Sequence, residues 1–414
     1  MTAPETELPN GLPLVRVELP GTAALMALVA YDAGSRSEDE REHGVAHFLE
    51  HMVFKGGERF PTHRDVNGET DRLGGRLNAL TSQELVAFHV RVRAERAGEA
   101  IELLADILAR PRFDAADLEL EQGVVVQEIA RSEDQPRSRA LDLSGPATFG
   151  EHPLGRTILG TEESVRALDA DAVRAFRARR WSGRSGVALL VGNCSRIDET
   201  QVAALLAELP DVPAPDPHPP PPGFEQRTLV EERDSKQSHL VATWCPAIDV
   251  TDPRRRAALA AYAMLLGGSL GSRLVSEIRE DRGWAYSVRA EADAMSDVPV
   301  LYVTAGLDSA NAAKAFDRTR EIVAELCEFP PGAEEVERAR SAVAGRRALS
   351  YENTTIAAGD LAEERVLRGR SVTPAELIAE LDDVRDEEVA EVAAAVHGPP
   401  SLACVGPHAQ SDFS

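Results

Sequence analysis

"HGVAHFLEHMVFKGG", residues 43–57, carries three of the chain's ten histidines and sets how the rest is read. Val45, Phe48, Leu49, Met52 and Val53 recur at helical spacing around the polar positions, which predicts a helix buried on most sides. His47 and His51 stand four residues apart, one turn along the same face, with Glu50 beside them. Ionisable groups in such a helix are costly unless they pair or coordinate. Two neutral imidazoles at this spacing can hold zinc, and a neighbouring carboxylate that is not a ligand can take a proton from a metal-bound water. The alternative is a solvated helix end continuing Arg41, Glu42 and His43, with the histidines as polar surface. His43 lies outside the pattern and reads as a helix-start residue. A catalytic zinc needs three protein ligands and an open fourth position, so a further His, Asp or Glu must come from another segment.

The 414 residues exceed what one core supports and suggest two domains. Composition, 43% hydrophobic and 28% charged, is that of a globular protein, and no apolar run reaches the roughly 20 residues that span a bilayer. The first residues carry acids and prolines where a secretory signal would place basic residues and an apolar core, so a cytoplasmic location is expected. A net charge of −24 opposes binding to phosphate backbones, and neither nucleic acid nor membrane is expected as a partner. Cys194, Cys245, Cys327 and Cys404 form no C-x-x-C pair and read as small buried hydrophobes.

The proline-dense "LPDVPAPDPHPPPPGF", residues 209–224, cuts the chain near its middle as a semi-rigid extended linker, with His218 in it expected to be exposed and silent. Before it come strands "LVRVELP" and "AALMALVAYDAG", the histidine helix, a helix "HRDVNGETDRLGG", strands "RLNALTS" and "ELVAFHVRV", long helices and a strand "GVALLVGNC". After it the order recurs, from "RTLVEER" and "SHLVATWC" through "RRRAALAAYAMLLGG" and "GSRLVSEIREDRG" to "AYSVRAEAD", "VLYVTAGL" and "SLACVGP". An internal duplication follows: an α+β fold of two homologous domains, each a mostly antiparallel sheet packed with helices. The boundaries are 1–209, a linker 210–223, and 224–414. The halves differ chemically. Laying "DAADLELEQGVVVQEI" on "GAEEVERARSAVAGRRA" puts Glu128 near Arg346, and the second copy of the opening helix has no histidine.

H-x-x-E-H is one of the zinc-peptidase signatures. "GSRSEDEREHGVAHFLEHMVFKGG", "LGGRLNALTSQE", "EQGVVVQEI", "LLGGSLGSRLVSEIRE" and "DRGWAYSV" together resemble the ordered motifs of the pitrilysin/insulinase family of zinc metallopeptidases. The likeness runs over nearly the whole chain and is closest to the short type, which includes mitochondrial processing peptidase and bacterial homodimeric members. Gly57 and Trp284 depart from the family's common threonine and leucine without touching a ligand.

The resemblance implies one zinc ion per chain, held by His47, His51 and Glu128, the last 77 positions after His51 as in the family. It implies Glu50 as general base, and Glu121 as the acid that orients the site from the same face of the Glu128 helix. Arg279 and Tyr286, seven apart, match the family's pair that holds the substrate backbone and stabilises the tetrahedral intermediate. Read alone, they would be a surface ion pair with Glu277 or Glu280 and a strand aromatic. Asn78, Ala79 and Thr81 lie on "RLNALTS", which resembles the edge strand on which substrate adds as a further strand. The expected activity is a zinc endopeptidase acting on short or unfolded polypeptides. Alternatives are a dedicated leader-peptide or presequence processing peptidase, or a non-catalytic docking subunit, against which the intact ligand set argues. The short type implies a homodimer in which Arg279 and Tyr286 act in trans.

Overall fold

The computed structural model describes residues 3–221 and 223–413. Its strands are β1 (Glu5–Glu7), β2 (Pro13–Glu18), β3 (Ala24–Tyr31), β4 (Arg76–Thr81), β5 (Val86–Arg93) and β6 (Gly186–Gly192), then β7 (Thr228–Glu232), β8 (Gln237–Trp244), β9 (Ala285–Ala294), β10 (Pro299–Asp308) and β11 (Ser401–Gly406). They form two sheets, ordered β1-β2-β6-β3-β5-β4 and β7-β11-β8-β10-β9. Without β1 the two orders coincide: first strand, last, second, fourth, third. Each sheet has one parallel pair, β2 with β6 and β7 with β11, and its other pairs are antiparallel. The α+β duplication expected from the element order is therefore present down to strand direction.

The apolar run of β3, "ALMALVAY", is buried at almost every position, as a central strand covered on both faces requires. By contrast β4, "RLNALT", alternates between exposed and half-buried residues at the sheet's edge and ends on the buried Thr81. Trp181 anchors the first core, stacked on Tyr31 at 5.1 Å and edge-on to Phe88 at 5.2 Å.

The chain forms two compact units that do not follow a single cut at the proline-rich segment. The first comprises Met1–Ile129, Thr157–Pro219 and Ser350–Glu376, and the second Ala130–Arg156, Pro220–Leu349 and Leu377–Ser414. Helix Thr354–Arg368, late in sequence, covers β3 and β6 of the first unit, while helix Pro136–Phe149 covers β8 and β11 of the second. Each half of the sequence thus lends a helix to the other's sheet.

The proline-rich segment is extended but not idle. Arg36 donates to the Pro219 carbonyl at 2.9 Å, Arg180 to the Asp216 carbonyl at 3.1 Å and Ser182 to the Val212 carbonyl at 2.8 Å. His218 corrects the expectation of an exposed residue: its side chain is 12% exposed and its Nε2 lies 2.5 Å from Asp32. Proline density ruled out a helix, but the carbonyls it leaves unpaired are acceptors for buried arginines. Cys194 and Cys404 are buried and Cys245 and Cys327 half-buried, all as free thiols.

Candidate metal centre

Helix α1 (Val45–Val53) begins at Gly44, whose φ of 93° and Cβ position, 2.9 Å from the Leu159 carbonyl, admit only glycine. The carboxylate of Glu38 caps this end, accepting from the backbone N–H of Gly44 at 2.9 Å and of Ala46 at 2.8 Å. Val45, Phe48, Leu49, Met52 and Val53 fill the core and fix the helix in rotation. His47, Glu50 and His51 are left on its remaining face.

Helix Ala115–Asp134 supplies the opposing wall. Leu118, Val125 and Ile129 seat it in the core, and Glu121 and Glu128, two turns apart, share that side. The Nε2 atoms of His47 and His51 are 3.2 Å apart, and Glu128 Oε2 lies 3.9 Å from the first and 3.5 Å from the second. Three bonds of about 2.1 Å at tetrahedral angles would hold their donor atoms about 3.4 Å apart. The residues present therefore fit a tetrahedral metal ion, with His47, His51 and Glu128 as its donors.

The surrounding charges support the same use. Burial, reinforced by the charge of His51, pushes the His47 imidazole down to about 3, so at neutral pH it is neutral with a lone pair to offer. Burial also acts to lower His51, but the bond to Glu121 and the charges of Glu128, Glu121 and Glu50 outweigh it and raise the group. A field that favours an imidazolium here favours a cation. His51 Nδ1 lies 2.8 Å from Glu121 Oε1, which fixes the tautomer with Nε2 free to ligate. Burial opposes ionising Glu121, yet His51 and Lys55 together hold its carboxyl below the usual range.

Glu50 stands outside the converging donors. The Thr81 hydroxyl, at the end of β4, donates to its Oε2. Burial pushes the Glu50 carboxyl above its ordinary range, and Thr81 partly opposes the rise. β4 is the outer strand of its sheet, with Asn78 exposed and Ala79 half-buried along it.

Arg279 and Tyr286 lie in the second unit, Arg279 in the π-helical segment Val275–Glu280 and Tyr286 on β9, and both line one groove. Tyr286 is 54% exposed, and Arg279 meets Glu280 only at 3.6 Å. A Cβ on Gly306, in the neighbouring β10, would sit 2.3 Å from the tyrosine hydroxyl, so this glycine makes room for the ring.

Lys55, ion-paired with Glu121, was not singled out from sequence, although it continues the four-residue rhythm of His47 and His51. His43 binds the Thr157 carbonyl at 2.8 Å, away from the donors.

Among known proteins, residues 16–162 match the insulinase (peptidase family M16) domain, and residues 167–343 the peptidase M16 inactive domain. An uncharacterised zinc protease of Streptomyces coelicolor is 30% identical over 415 residues, covering 98% of this chain and 90% of that one. A second, from Bacillus subtilis, is 30% identical over 380 residues and 92% of each. Among solved structures, a peptidase M16 inactive domain from Pseudomonas fluorescens superposes with a TM-score of 0.89 at 21% identity over 99% of both chains. A protease from Helicobacter pylori gives 0.84 at 19% identity over 98% of this chain and 99% of that one. A duplicated fold, the converging ligand set and full-length relatives named zinc proteases lead to one conclusion: the chain belongs to the pitrilysin/insulinase family, peptidase family M16, and fits its short type.

Proposed function

We propose that this chain is a zinc-dependent endopeptidase that hydrolyses short or unfolded polypeptides. The observation that carries the reading is the convergence of His47, His51 and Glu128 beside a buried carboxylate, Glu50, that is not one of the donors. Zinc held by His47, His51 and Glu128 would supply Lewis acidity, lowering the pKa of a bound water and polarising the substrate carbonyl. Glu50 accepts the proton of the attacking water and passes it to the leaving amine as the C–N bond breaks. Thr81 holds Glu50 in place, and Glu121 holds His51.

The free edge of β4 receives the substrate backbone as an added strand, along Asn78, Ala79 and Thr81. Such pairing selects extended chain, which folded substrates do not offer. Tyr286 donates its hydroxyl to the developing oxyanion, and Arg279 binds the neighbouring backbone carbonyl. Both act in trans, from the other chain of a homodimer, as the likeness to the family's short type suggests.

Removal of metal by a chelator should abolish cleavage of an unfolded peptide library, and one zinc equivalent per chain should restore it. Undiminished cleavage by the metal-free protein would refute the reading. For the trans arrangement, inactive Glu50→Gln and Tyr286→Phe chains are mixed and allowed to exchange. Each mixed dimer then has one intact site and regains activity, whereas inactivity after confirmed exchange rules the arrangement out.

A further inference from the structure

β9, the outer strand of the second sheet, pairs only with β10 among the described residues. Beside it lies a groove of about 440 Å³ whose charged side chains all have one sign. Arg137, Arg289 and Arg346 join Arg279 there from four separate segments, His239 lines it from a fifth, and no aspartate or glutamate among the described residues does so. The chain as a whole is the reverse, with 69 acidic residues against 45 basic ones.

Contacts within the chain neutralise little of this charge. Arg346 donates to the backbone carbonyl of Gly268 at 2.8 Å, and Arg289 reaches Glu291 at 3.3 Å on the open strand. Arg137 has no ion-pair partner among the described residues, and its charge bears on His239, which is lowered first by burial and then by Arg137. Arg279 and Arg289 each have one exposed glutamate partner, which leaves the cluster with an excess of like charge whose repulsion an anion from outside relieves. Leu141 and Leu270, 42% and 80% exposed, add apolar surface to the same groove.

The duplication gives this groove its place. Glu128 lies thirteen residues after Ala115, where its helix begins, and Arg346 lies thirteen after Ala333, where the matching helix begins. The position that offers a carboxylate to a cation in the first unit offers a guanidinium in the second. We propose that the groove of the second unit is a carboxylate-reading peptide site. Arg137, Arg289 and Arg346 take an acidic side chain or a free C-terminus, and the peptide backbone adds to β9. The proposal rests on the peptidase reading for its choice of a peptide as occupant, but it is a claim about binding.

The test uses the full-length chain carrying Glu50→Gln, so that hydrolysis, where present, does not consume the probe. Three fluorescent peptides of equal length are compared by anisotropy at low ionic strength: glutamate-rich with both ends blocked, neutral with a free C-terminus, and neutral with both ends blocked. At least one carboxylate-bearing peptide should bind tenfold or more tighter than the blocked neutral one, and which of them does so identifies the source of the carboxylate. That preference should disappear in Arg289→Gln/Arg346→Gln and survive in Arg346→Lys, which keeps the charge. All three arginines are exposed, and unchanged circular dichroism melts confirm that the variants fold. Equal binding of the three peptides, or a preference that persists in the double glutamine variant, would overturn the proposal. Peptide cleavage by the chain with Glu50 intact is measured separately, so a failed groove and a failed peptidase reading give different results.

Discussion

The two units share a strand order and differ where chemistry is concerned. Laid on "HGVAHFLEHMVFKGG", the second copy "RRRAALAAYAMLLGG" puts Ala258, Ala261 and Tyr262 at the positions of His47, Glu50 and His51. Ala339 and Arg346 take the places of Glu121 and Glu128 by position in their helices. All three residues of the second helix are buried. The first unit bears the cost of burying two imidazoles and the carboxylates of Glu50 and Glu121 around one point, and the second fills the corresponding positions with alanines and a tyrosine, leaving only the exposed Arg346 charged. A scaffold repeated in one chain thus holds a polar cluster only where the cluster has a use, which is the sense in which the contrast supports a metal site.

Several substitutions would break or sharpen that contrast. Among substitutions that spare both the ligands and Glu50, the largest effect belongs to Glu121→Gln, which weakens the acceptor for His51 Nδ1–H. Zinc affinity should fall about 10- to 100-fold in chelator-competition titrations, whereas Arg346→Gln in the second unit should leave it unchanged. Equal losses in both would show that the units are not chemically distinct. Thr81→Val comes next, since it deletes the donor to Glu50 without touching a ligand. A hydrogen bond to a charged group predicts about a tenfold loss in kcat, with full zinc content. The smallest concerns Glu388 in the second unit, where a carboxylate serves structure rather than chemistry. Despite its burial, Arg385 and Arg254 depress its carboxyl to about 2. Its folded value lies below the ordinary 4.5, so its stabilisation is fully present above pH 4.5 and is lost as pH falls through about 2. Both arginines are more than half exposed, so after screening the effect of Glu388→Gln should be about 1 kcal/mol. Denaturant midpoints of wild type and variant should differ at pH 7 and converge near pH 2.

Much of this was legible in the sequence, because helical periodicity sets rotation. The apolar positions of residues 45–53 leave one polar face, and four-residue spacing puts His47 and His51 together on it. Glu128 could not be reached that way. It arrives from a helix more than 60 residues later, and only family likeness marked it. Thr81 was assigned to the substrate strand, but its bond to Glu50 depends on how β4 ends against α1, which no local pattern encodes. The exchange of helices Pro136–Phe149 and Thr354–Arg368 was hidden for a related reason. An amphipathic helix declares that it has a face to bury, not which sheet will bury it. The arginine groove was missed because its charges come from four segments, each an ordinary solvated position by itself.

The central claim is that His47, His51 and Glu128 hold one zinc while Glu50 works beside it without ligating. Zinc stoichiometry and peptide cleavage measured together on Glu50→Gln and Glu128→Gln test it most directly. Glu50→Gln should retain one zinc per chain and lose cleavage by about a hundred- to ten-thousandfold, whereas Glu128→Gln should lose the metal and the activity together. A Glu50→Gln chain that cleaves at the wild-type rate, or a Glu128→Gln chain that keeps its zinc at wild-type affinity, would contradict the account.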